Sequence, residues 1–340
     1  MSPRTRLISI SVAIILVIGV LVLSFGPSPS EGLSKLAAAK PAAKPAPAPA
    51  HTFNPPNEAP TAHGAPTSHH IPEADRRWLI VTPMAAKSVQ RRMIVRNTWQ
   101  RFYHDDTPFV SKFVFARIPD IWKAAIRAEN ETYGDIIELP HLEESAHVAN
   151  TIKTVEFFGY IRKTQPDRWD FVTKLDDDSF LDARVFWKTY LQPALAAGKT
   201  KEMTWGRTLH LEGHDWKYAG GQFYTFTNDL VKRVAELFAK NRIDDLDEDA
   251  LPSRLMHEGG VNWNQTDLPS AIAFDYNGED LQDPKQACPW AKPSADLTKW
   301  AHSVGPDSLN PHKMKTDEDY LKVVACWDEA GYIRKRPAKS

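Results

Sequence analysis

The segment from Trp169 to Phe180 runs from an apolar, β-branched strand pattern directly into three consecutive aspartates, Asp176, Asp177 and Asp178. Adjacent carboxylates repel one another, so one of them should titrate abnormally unless a cation lies close by. Oxygen ligands of this kind suit a hard divalent ion such as Mn²⁺ or Mg²⁺. Because α/β folds place ligands at the carboxyl ends of their strands, the triplet predicts a metal site at that edge of a sheet. The alternative is a solvated acidic turn that closes the strand.

Alternating strand and helix patterns precede the triplet, and they predict an α/β fold with a mainly parallel central sheet flanked by helices. The predicted strands are 78–83, 112–116, 135–139 and the strand that ends at the triplet, and the predicted helices are 85–99, 121–133 and 147–163. Gly134 follows the second helix as a C-cap would. Beyond Ala183 the pattern is mixed, with a clear strand only at 222–227 and a clear helix only at 228–241.

The amino-terminal part of the chain differs in composition from the rest. Leu7 to Phe25 contains about 19 residues without a charge and is preceded by Arg4 and Arg6, which predicts an uncleaved transmembrane anchor at 7–25 with a cytosolic tail at 1–6. The alternative is a cleaved secretory signal. Residues 26–75 are rich in proline and alanine and are expected to form a disordered stem. Residues 76–336 are then a globular domain on the lumenal side.

The overall composition limits the partners and the compartment. The 340-residue chain has a formal net charge of -1, which gives no indication of a nucleic-acid partner. Cys288 and Cys326 are its two cysteines, and in an oxidising compartment they can form a disulfide. Asn130 and Asn264 begin N-glycosylation sequons, which agrees with a translocated domain.

Several further segments share an order and spacing with the triplet. They are Arg92 to Trp99 (Arg-Met-Ile-Val-Arg-Asn-Thr-Trp), Tyr133 to Ile137 with Lys153-Thr154, Tyr218 to Tyr224 with its Gly-Gly pair, Glu248-Asp249, and His312 to Lys315. Together with the triplet they resemble glycosyltransferase family 31, the β-1,3-galactosyl- and N-acetylglucosaminyltransferases, over most of residues 77 to 327. The resemblance implies a GT-A fold in a fungal-type, single-pass type II protein of the Golgi membrane.

The resemblance also implies a reaction and a role for each matched residue. A hexose, most often galactose, would pass with inversion from a UDP-sugar to a hydroxyl of a glycan on protein or lipid, forming a β-1,3 linkage. Asp178 and His312 would bind the metal, and Asp249 would be the catalytic base. Nucleotide-sugar contacts would come from Arg92, Arg96, Lys153, Asp176 and Asp177, and the acceptor side from Gly220, Gly221 and Glu248.

Alternatives remain open for several of these residues. Arg92 and Arg96 lie four apart on one helical face and can equally form structural salt bridges. Lys153 can be a solvated lysine, and His302 competes with His312 as a metal ligand. Asp249 lies in an acidic run, and it is followed by Ala-Leu-Pro-Ser where the family usually has small apolar residues and glycine. Asp247 or Glu248 is therefore a possible base as well.

Rival functions are an N-acetylglucosaminyl transferase, an inactive relative that binds glycans or acts as a lumenal chaperone, and a metal-dependent hydrolase. The intact triplet and the Glu-Asp pair favour an enzyme over a binding protein. A hydrolase would need a nucleophile elbow or a second ligand cluster, and the sequence contains no Gly-x-Ser-x-Gly or His-Glu-x-x-His segment.

Overall fold

A seven-stranded sheet forms the centre of the structure, which is a computed structural model describing residues 71–337. Its strands are β1 (Trp78–Pro83), β2 (Phe109–Ala116), β3 (Ile136–Leu139), β4 (Phe171–Leu175), β5 (Met203–His210), β6 (Lys217–Thr227) and β7 (Asn264–Asp267). They lie in the order β3-β2-β1-β4-β6-β5-β7. The first four strands in this order are parallel, β6 is antiparallel to both neighbours, and β7 is parallel to β5. The predicted mainly parallel sheet is confirmed.

Helices connect these strands. They are α1 (Val89–Val95), α2 (Arg101–Tyr103), α3 (Asp120–Tyr133), α4 (Lys153–Thr164), α5 (Ala183–Phe186), α6 (Gln192–Ala196), α7 (Asn228–Lys240), α8 (Ala250–Glu258) and α9 (Asp317–Val324). Wider π-helical turns at Arg96–Gln100, Val148–Ile152 and Trp187–Leu191 extend α1, α4 and α5, and a 3₁₀ turn lies at Glu73–Asp75. Gly134 ends α3 with a φ of 62°, and its amide donates to the carbonyl of Asn130, so the predicted C-cap is confirmed.

The central sheet is buried on both faces. Alternate side chains of β1 point to opposite faces, as the period of two requires. Trp78 and Ile80 belong to one hydrophobic core, and Leu79 and Val81 belong to the other. All four side chains are at most 1% exposed. Strands buried in this way read as continuous apolar runs, which is why β1 is recognisable in the sequence.

A second, smaller sheet lies beside the carboxyl end of β4. It contains β8 (Ala273–Tyr276), β9 (Ala301–His302) and β10 (Asn310–His312) in the parallel order β10-β8-β9. Backbone hydrogen bonds attach it to the turn after β4, because Phe180 donates to Pro311 and Met314 donates to Asp178. This attachment brings the end of β10 against the aspartate triplet.

The loop between β8 and β9 carries Cys288, which the structure bonds to Cys326 just after α9. The sequence offered these two cysteines as a possible pair. Because the disulfide joins a loop within the small sheet to the segment after α9, it limits their separation in the unfolded chain and stabilises this part of the fold.

The predicted cytosolic tail (1–6), anchor (7–25) and nearly all of the predicted stem (26–75) lie outside the described residues. Among residues 71–337, the structure contains no helix that combines the length and the apolar character needed to cross a membrane. The boundaries of the globular domain, 76–336, remain a prediction.

Candidate active site

A cavity of about 570 Å³ opens at the carboxyl end of β4. Side chains from the aspartate triplet, β1, β6, the start of α8 and the small sheet line it. The lining includes Met84, Ser88, Asn150, Lys153, Lys174, Asp176, Asp177, Asp178, Leu209, Gly220, Gly221, Asp247, Glu248, Asp249, Asp275, Trp300, His312, Lys313 and Lys315. The antiparallel strand β6 contributes to it because the strand extends past the end of β4, where Asp176 donates its amide to the carbonyl of Gln222.

Three side chains in the cavity form a cluster that suits a divalent metal ion. One ligand atom each from Asp176, Asp178 and His312 lies within 4.8 Å of the others. His312 Nε2 is 3.3 Å from Asp178 Oδ1 and 3.5 Å from Asp176 Oδ2. Two carboxylate oxygens and one imidazole nitrogen are compatible with a divalent metal ion: the oxygens suit Mn²⁺ and Mg²⁺, and the nitrogen favours a transition metal such as Mn²⁺. The arrangement places Asp176 with the ligands, whereas the sequence assigned it to the nucleotide.

His312 is oriented by a third carboxylate. Its Nδ1 lies 2.8 Å from Asp275 Oδ1, across the β10–β8 pair in which the two residues are direct partners. Burial would lower the pKa of His312, but hydrogen bonds to Asp176, Asp178 and Asp275 raise it to about 10. Burial would raise the pKa of Asp275, yet His312 and Lys313 lower it to about 2. A carboxylate on the second ring nitrogen commonly supports a metal-binding histidine.

The rival histidine, His302, is placed differently. Its Nδ1 lies 2.7 Å from the carbonyl of Ser303, and its Nε2 lies 2.9 Å from the carbonyl of Ser270. The ring is also stacked on Phe274. Both nitrogens are therefore occupied by the backbone, and the geometry favours His312 as the candidate ligand.

The three carboxyl groups of the triplet have different electrostatic environments. Burial would raise the pKa of Asp178, but His312 and Lys315, whose Nζ is 2.5 Å from Oδ2, lower it well below the usual range. Asp177 has no comparable partner, and burial together with Asp178 and Asp176 raises its pKa to about 6. This is the abnormal titration that three adjacent aspartates predict.

Arg91 connects the triplet to the segment after β10. Its guanidinium donates to the carbonyls of Asp177, Met314 and Lys315 and pairs with Asp317 at 2.7 Å. A planar group with five donors is suited to hold several acceptors at once. Arg91 thus fixes the loop that carries Lys315 beside the metal-type cluster, a role that the sequence does not indicate because the recognisable motif begins at Arg92.

A buried lysine joins the metal end of the cavity to its other end. Lys174, in β4, has a side chain that is 3% exposed, and its Nζ lies 2.7 Å from Asp176 Oδ1 and 2.5 Å from the carbonyl of Gly221. It also pairs with Glu248. Burial would lower the pKa of Lys174, but Asp176 and Glu248 raise it far above its usual value. The lysine therefore remains charged between the two carboxylates.

The carboxyl groups of Glu248 and Asp249 differ in their partners and in their exposure to solvent. Glu248 pairs with Lys174 through Oε1 and accepts hydrogen bonds from Thr154 and Tyr224, both at 3.0 Å, through Oε2. Asp249 is half-buried at the start of α8, where its oxygens accept from the amides of Gly221 (2.8 Å) and Ala250 (2.9 Å). Burial raises the pKa of Asp249. Asp249 is more accessible than Glu248, which is buried and paired with Lys174, and it is less exposed than Asp247, so the geometry favours Asp249 as the proton acceptor.

The glycine pair on β6 leaves room for these carboxylates. A Cβ on Gly221 would lie 3.2 Å from Glu248 Oε1 and 3.3 Å from Asp249 Oδ2, and a Cβ on Gly220 would lie 3.2 Å from Leu209. The predicted reason for the pair was the approach of an acceptor sugar. The structure adds that Gly221 lets the backbone reach Asp249 and Glu248.

Arg92 and Arg96 are engaged in structural ion pairs, which was the alternative to their predicted contact with the nucleotide. Arg92 is fully buried and makes two 2.7 Å bonds to Glu129, while Arg96 makes two 2.8 Å bonds to Asp135 and also pairs with Glu129. Neither arginine lines the cavity. They attach α1 to α3 instead.

The remaining predicted site residues have mixed placements. Lys153 lines the cavity, but it is buried and pairs with both oxygens of Glu144, at 2.7 and 2.8 Å. Its contact with a nucleotide-sugar stays a prediction.

Asn130 at the end of α3 and Asn264 at the start of β7 are both exposed, as an N-glycosylation site requires. Their glycosylation also stays a prediction.

The chain resembles known galactosyltransferases. Residues 90–212 match the family model described as Galactosyltransferase. A curated relative, the probable β-1,3-galactosyltransferase 3 of Arabidopsis thaliana, is 26% identical over 210 residues, which cover 51% of this chain and 49% of that protein. The chain thus spans about half the length of the curated relative it matches. These matches show that this part of the chain is similar to galactosyltransferases.

Solved structures show partial likeness. The galactosyltransferase LgtC in complex with donor and acceptor sugar analogues aligns with a TM-score of 0.42 and 13% identity, covering 76% of this chain and 97% of that one. The mannosyltransferase PcManGT from Pyrobaculum calidifontis, in complex with GDP-Man and Mn²⁺, aligns with a TM-score of 0.36 and 15% identity, covering 57% of this chain and 55% of that one.

Proposed function

We propose that this chain is a metal-dependent, inverting galactosyltransferase of the GT-A type, which transfers galactose from a UDP-sugar to a hydroxyl of a glycan and forms a β-1,3 linkage. One observation carries the proposal: a single cavity contains both a metal-type cluster (Asp176, Asp178, His312) and a separate half-buried carboxylate, Asp249. The match to the Galactosyltransferase family model and to a probable β-1,3-galactosyltransferase supports the choice of sugar and linkage.

Asp176, Asp178 and His312 would hold Mn²⁺ or Mg²⁺, and Asp275 would keep His312 in the orientation that presents Nε2. When bound, a divalent ion supplies positive charge that stabilises the departing diphosphate. Lys313 and Lys315, which are exposed and line the same cavity, would add further positive charge for the diphosphate. Asp177 would accept a hydrogen bond from a ribose hydroxyl of the nucleotide.

Asp249 would act as the base. The acceptor hydroxyl loses its proton to Asp249 while its oxygen bonds to the anomeric carbon and the bond from that carbon to UDP breaks. The displacement inverts the anomeric centre, and UDP leaves with the bonding electron pair. The amides of Gly221 and Ala250 hold the carboxylate in place, and burial, which raises its pKa, favours proton acceptance at neutral pH.

The location of the protein is part of the proposal. We infer a single-pass type II protein of the Golgi membrane, with residues 76–336 in the lumen as the catalytic domain. The uncharged run at 7–25, the Cys288–Cys326 bond and the exposed sequons at Asn130 and Asn264 support this location.

A donor and acceptor panel on the full chain tests the proposal. Labelled UDP-galactose, UDP-N-acetylglucosamine and UDP-glucose are each supplied with Mn²⁺ and a set of galactosyl and glucosyl acceptors. We expect transfer of galactose, loss of activity with a chelator, and a β-linked product by NMR. Asp249→Asn should lower kcat by roughly 10²–10⁴-fold with UDP affinity nearly unchanged, whereas Asp247→Asn, an exposed neighbour, should have a mild effect.

Each component of the proposal can fail separately. If the enzyme prefers UDP-N-acetylglucosamine, the proposed donor is wrong. If it is fully active in the presence of a chelator, the proposed role of the metal is wrong. An α-linked product would exclude inversion. UDP binding without transfer to any acceptor would favour the inactive, glycan-binding relative. Loss of turnover in Glu248→Gln or Asp247→Asn, with Asp249→Asn active, would move the base to another residue of the acidic run.

A further inference from the structure

The indole of Trp300 is the large aromatic side chain that the cavity leaves open to solvent. Trp300 lies just before β9, lines the cavity and is 45% exposed. Its Nε1 donates a 2.7 Å hydrogen bond to Asp275 Oδ2, and its carbonyl accepts from the amide of Asp275. These two hydrogen bonds fix the orientation of Trp300, although the side chain is half exposed and is not part of the core.

Arg207 supports the ring from behind. Its guanidinium carbon lies 2.9 Å from the centre of the Trp300 ring, and one of its nitrogens donates to the carbonyl of Trp300. Arg207 is itself only 3% exposed and also donates to Gln222. Since the cation covers one face and the Nε1 edge is bonded to Asp275, the exposed surface of Trp300 is its other face and its outer edge.

Trp300 lines the same cavity as the glycine pair of β6 and the candidate base, Asp249. Leu209 of β5 also lines this cavity and packs against Gly220, and the amide of the next residue, Gly221, binds Asp249. Trp300 is linked through Asp275 to His312. The exposed indole is therefore part of the cavity that contains both the candidate base and the metal-type cluster.

We propose that Trp300 is the stacking platform for the pyranose ring of the acceptor glycan. The inference rests on the proposed function and assigns one of its binding residues. A hexopyranose presents an apolar face of C–H bonds, and the negatively polarised face of an indole is a favourable surface for it. Sugar and other ligand sites typically combine such an aromatic surface with a few polar groups that fix orientation. Here Asp275 is bonded to the indole, and Asp249 lines the same cavity.

Two substitutions separate the ring from its hydrogen bond. Trp300→Leu removes the aromatic face, and Trp300→Phe retains a smaller face but loses the donor to Asp275. In the full chain we expect Trp300→Leu to raise the acceptor KM by about tenfold or more, with the donor KM within about threefold of the unmodified value. Trp300→Phe should raise the acceptor KM less than Trp300→Leu does.

Tyr332→Leu is the matched control, because Tyr332 is an aromatic residue that is 58% exposed and does not line the cavity. It should leave both KM values unchanged. A donor KM that rises while the acceptor KM stays constant would overturn the assignment to the acceptor. If Trp300→Phe and Trp300→Leu raise the acceptor KM equally, the lost bond to Asp275 explains the increase, and this result would also overturn stacking.

Tryptophan fluorescence provides a readout that does not depend on transfer. Methyl β-D-galactopyranoside and lactose are titrated into the full chain and into both variants without donor. We expect a saturable change in emission in the unmodified chain and in Tyr332→Leu, and none in Trp300→Phe or Trp300→Leu. A change that persists in both Trp300 variants, or its absence in the unmodified chain, contradicts the platform.

The two assays distinguish a failure of this inference from a failure of the proposed function. If hexose transfer proceeds but Trp300→Leu leaves the acceptor KM unchanged, the platform is wrong and the function stands. If no donor supports transfer but the fluorescence change requires Trp300, the sugar site stands and the proposed reaction is wrong.

Discussion

Asp275 Oδ1 lies 2.8 Å from His312 Nδ1, and the two residues are paired partners in neighbouring strands of the small sheet. The other imidazole nitrogen is thereby directed at Asp176 and Asp178. A backbone register thus determines which nitrogen of His312 faces the triplet. The small sheet has a functional consequence beyond packing, since it supplies the third member of a cluster whose other two members follow β4.

The first prediction concerns this carboxylate. Asp275→Asn should lower Mn²⁺ affinity by roughly 10–100-fold, because an amide orients the imidazole less firmly and does not increase its basicity. Titration of Mn²⁺ into the full chain, followed by the electron paramagnetic resonance signal of the free ion, measures the affinity. Asp280→Asn is the control, since Asp280 is an exposed aspartate paired with Lys292. Equal affinities for the two variants would show that Asp275 does not support the ligand.

The second prediction separates a structural arginine from a nucleotide ligand. Arg92→Lys should lower the free energy of unfolding by about 1–3 kcal/mol, because lysine cannot reproduce two parallel bonds to Glu129. UDP affinity should stay within about threefold. Urea unfolding and UDP titration on the same preparation measure both quantities, and Arg101→Lys, at an exposed arginine of α2, is the control. A large loss of UDP affinity with unchanged stability would restore the predicted nucleotide contact.

The third prediction is a pH dependence of stability. Burial would raise the pKa of Glu129, but Arg92 and Arg96 lower it below its ordinary value. In the unfolded chain this carboxyl titrates near 4.3, so below about pH 4.3 the unfolded state binds more protons than the folded state. The stabilisation by Glu129 is complete above that pH and is lost as the pH falls through the folded-state pKa.

Glu129→Gln should therefore reduce the slope of unfolding free energy against pH, by up to about 1.4 kcal/mol per pH unit, in the region below about pH 4.3. Denaturant unfolding at closely spaced acidic pH values measures this slope. Glu131→Gln, at an exposed position of the same helix α3, should leave it unchanged. An unaltered slope in Glu129→Gln would mean that the arginines do not stabilise this carboxylate.

The first half of the sheet could be predicted from the sequence because each of its strands is a short apolar run between turn signals. The predicted strand at 78–83 coincides with β1, and the predicted helix at 228–241 differs from α7 by one residue. The strands of the second half carry weaker signals. β5 (Met203–His210) mixes Gly, Arg and His with its apolar residues, and the start of β6 at Lys217 precedes the predicted strand by five residues.

Site residues that belong to a short local motif could be predicted from the sequence. Site residues that reach the cavity only through long-range strand pairing could not. The triplet, His312 and Asp249 occur in short recognisable segments, and the structure brings them to one cavity. Asp275 and Trp300 belong to no such segment. They reach the site only because β8 pairs with β10 and β9, which is a long-range arrangement that a single sequence does not display.

The last prediction tests whether Lys174 couples the two ends of the cavity. Lys174→Met leaves the buried carboxylate of Glu248 without its cation, which should cost about 3–5 kcal/mol of stability. It also removes the partner of Asp176, which is half-buried. Glu248→Gln removes one of these charges, so in the double variant the loss of Lys174 should cost less. We expect a coupling energy above about 1 kcal/mol in the double-mutant cycle, measured by urea unfolding. The exposed pair of Lys232 and Asp167, with Nζ and Oδ1 at 3.0 Å, provides the matched cycle, Lys232→Met with Asp167→Asn, and its coupling should be about 0–1 kcal/mol. Equal coupling in the two cycles would show that Lys174 fills space between the carboxylates without binding them together. The contact between the metal-type cluster and Asp249 would then depend on the backbone of Gly221.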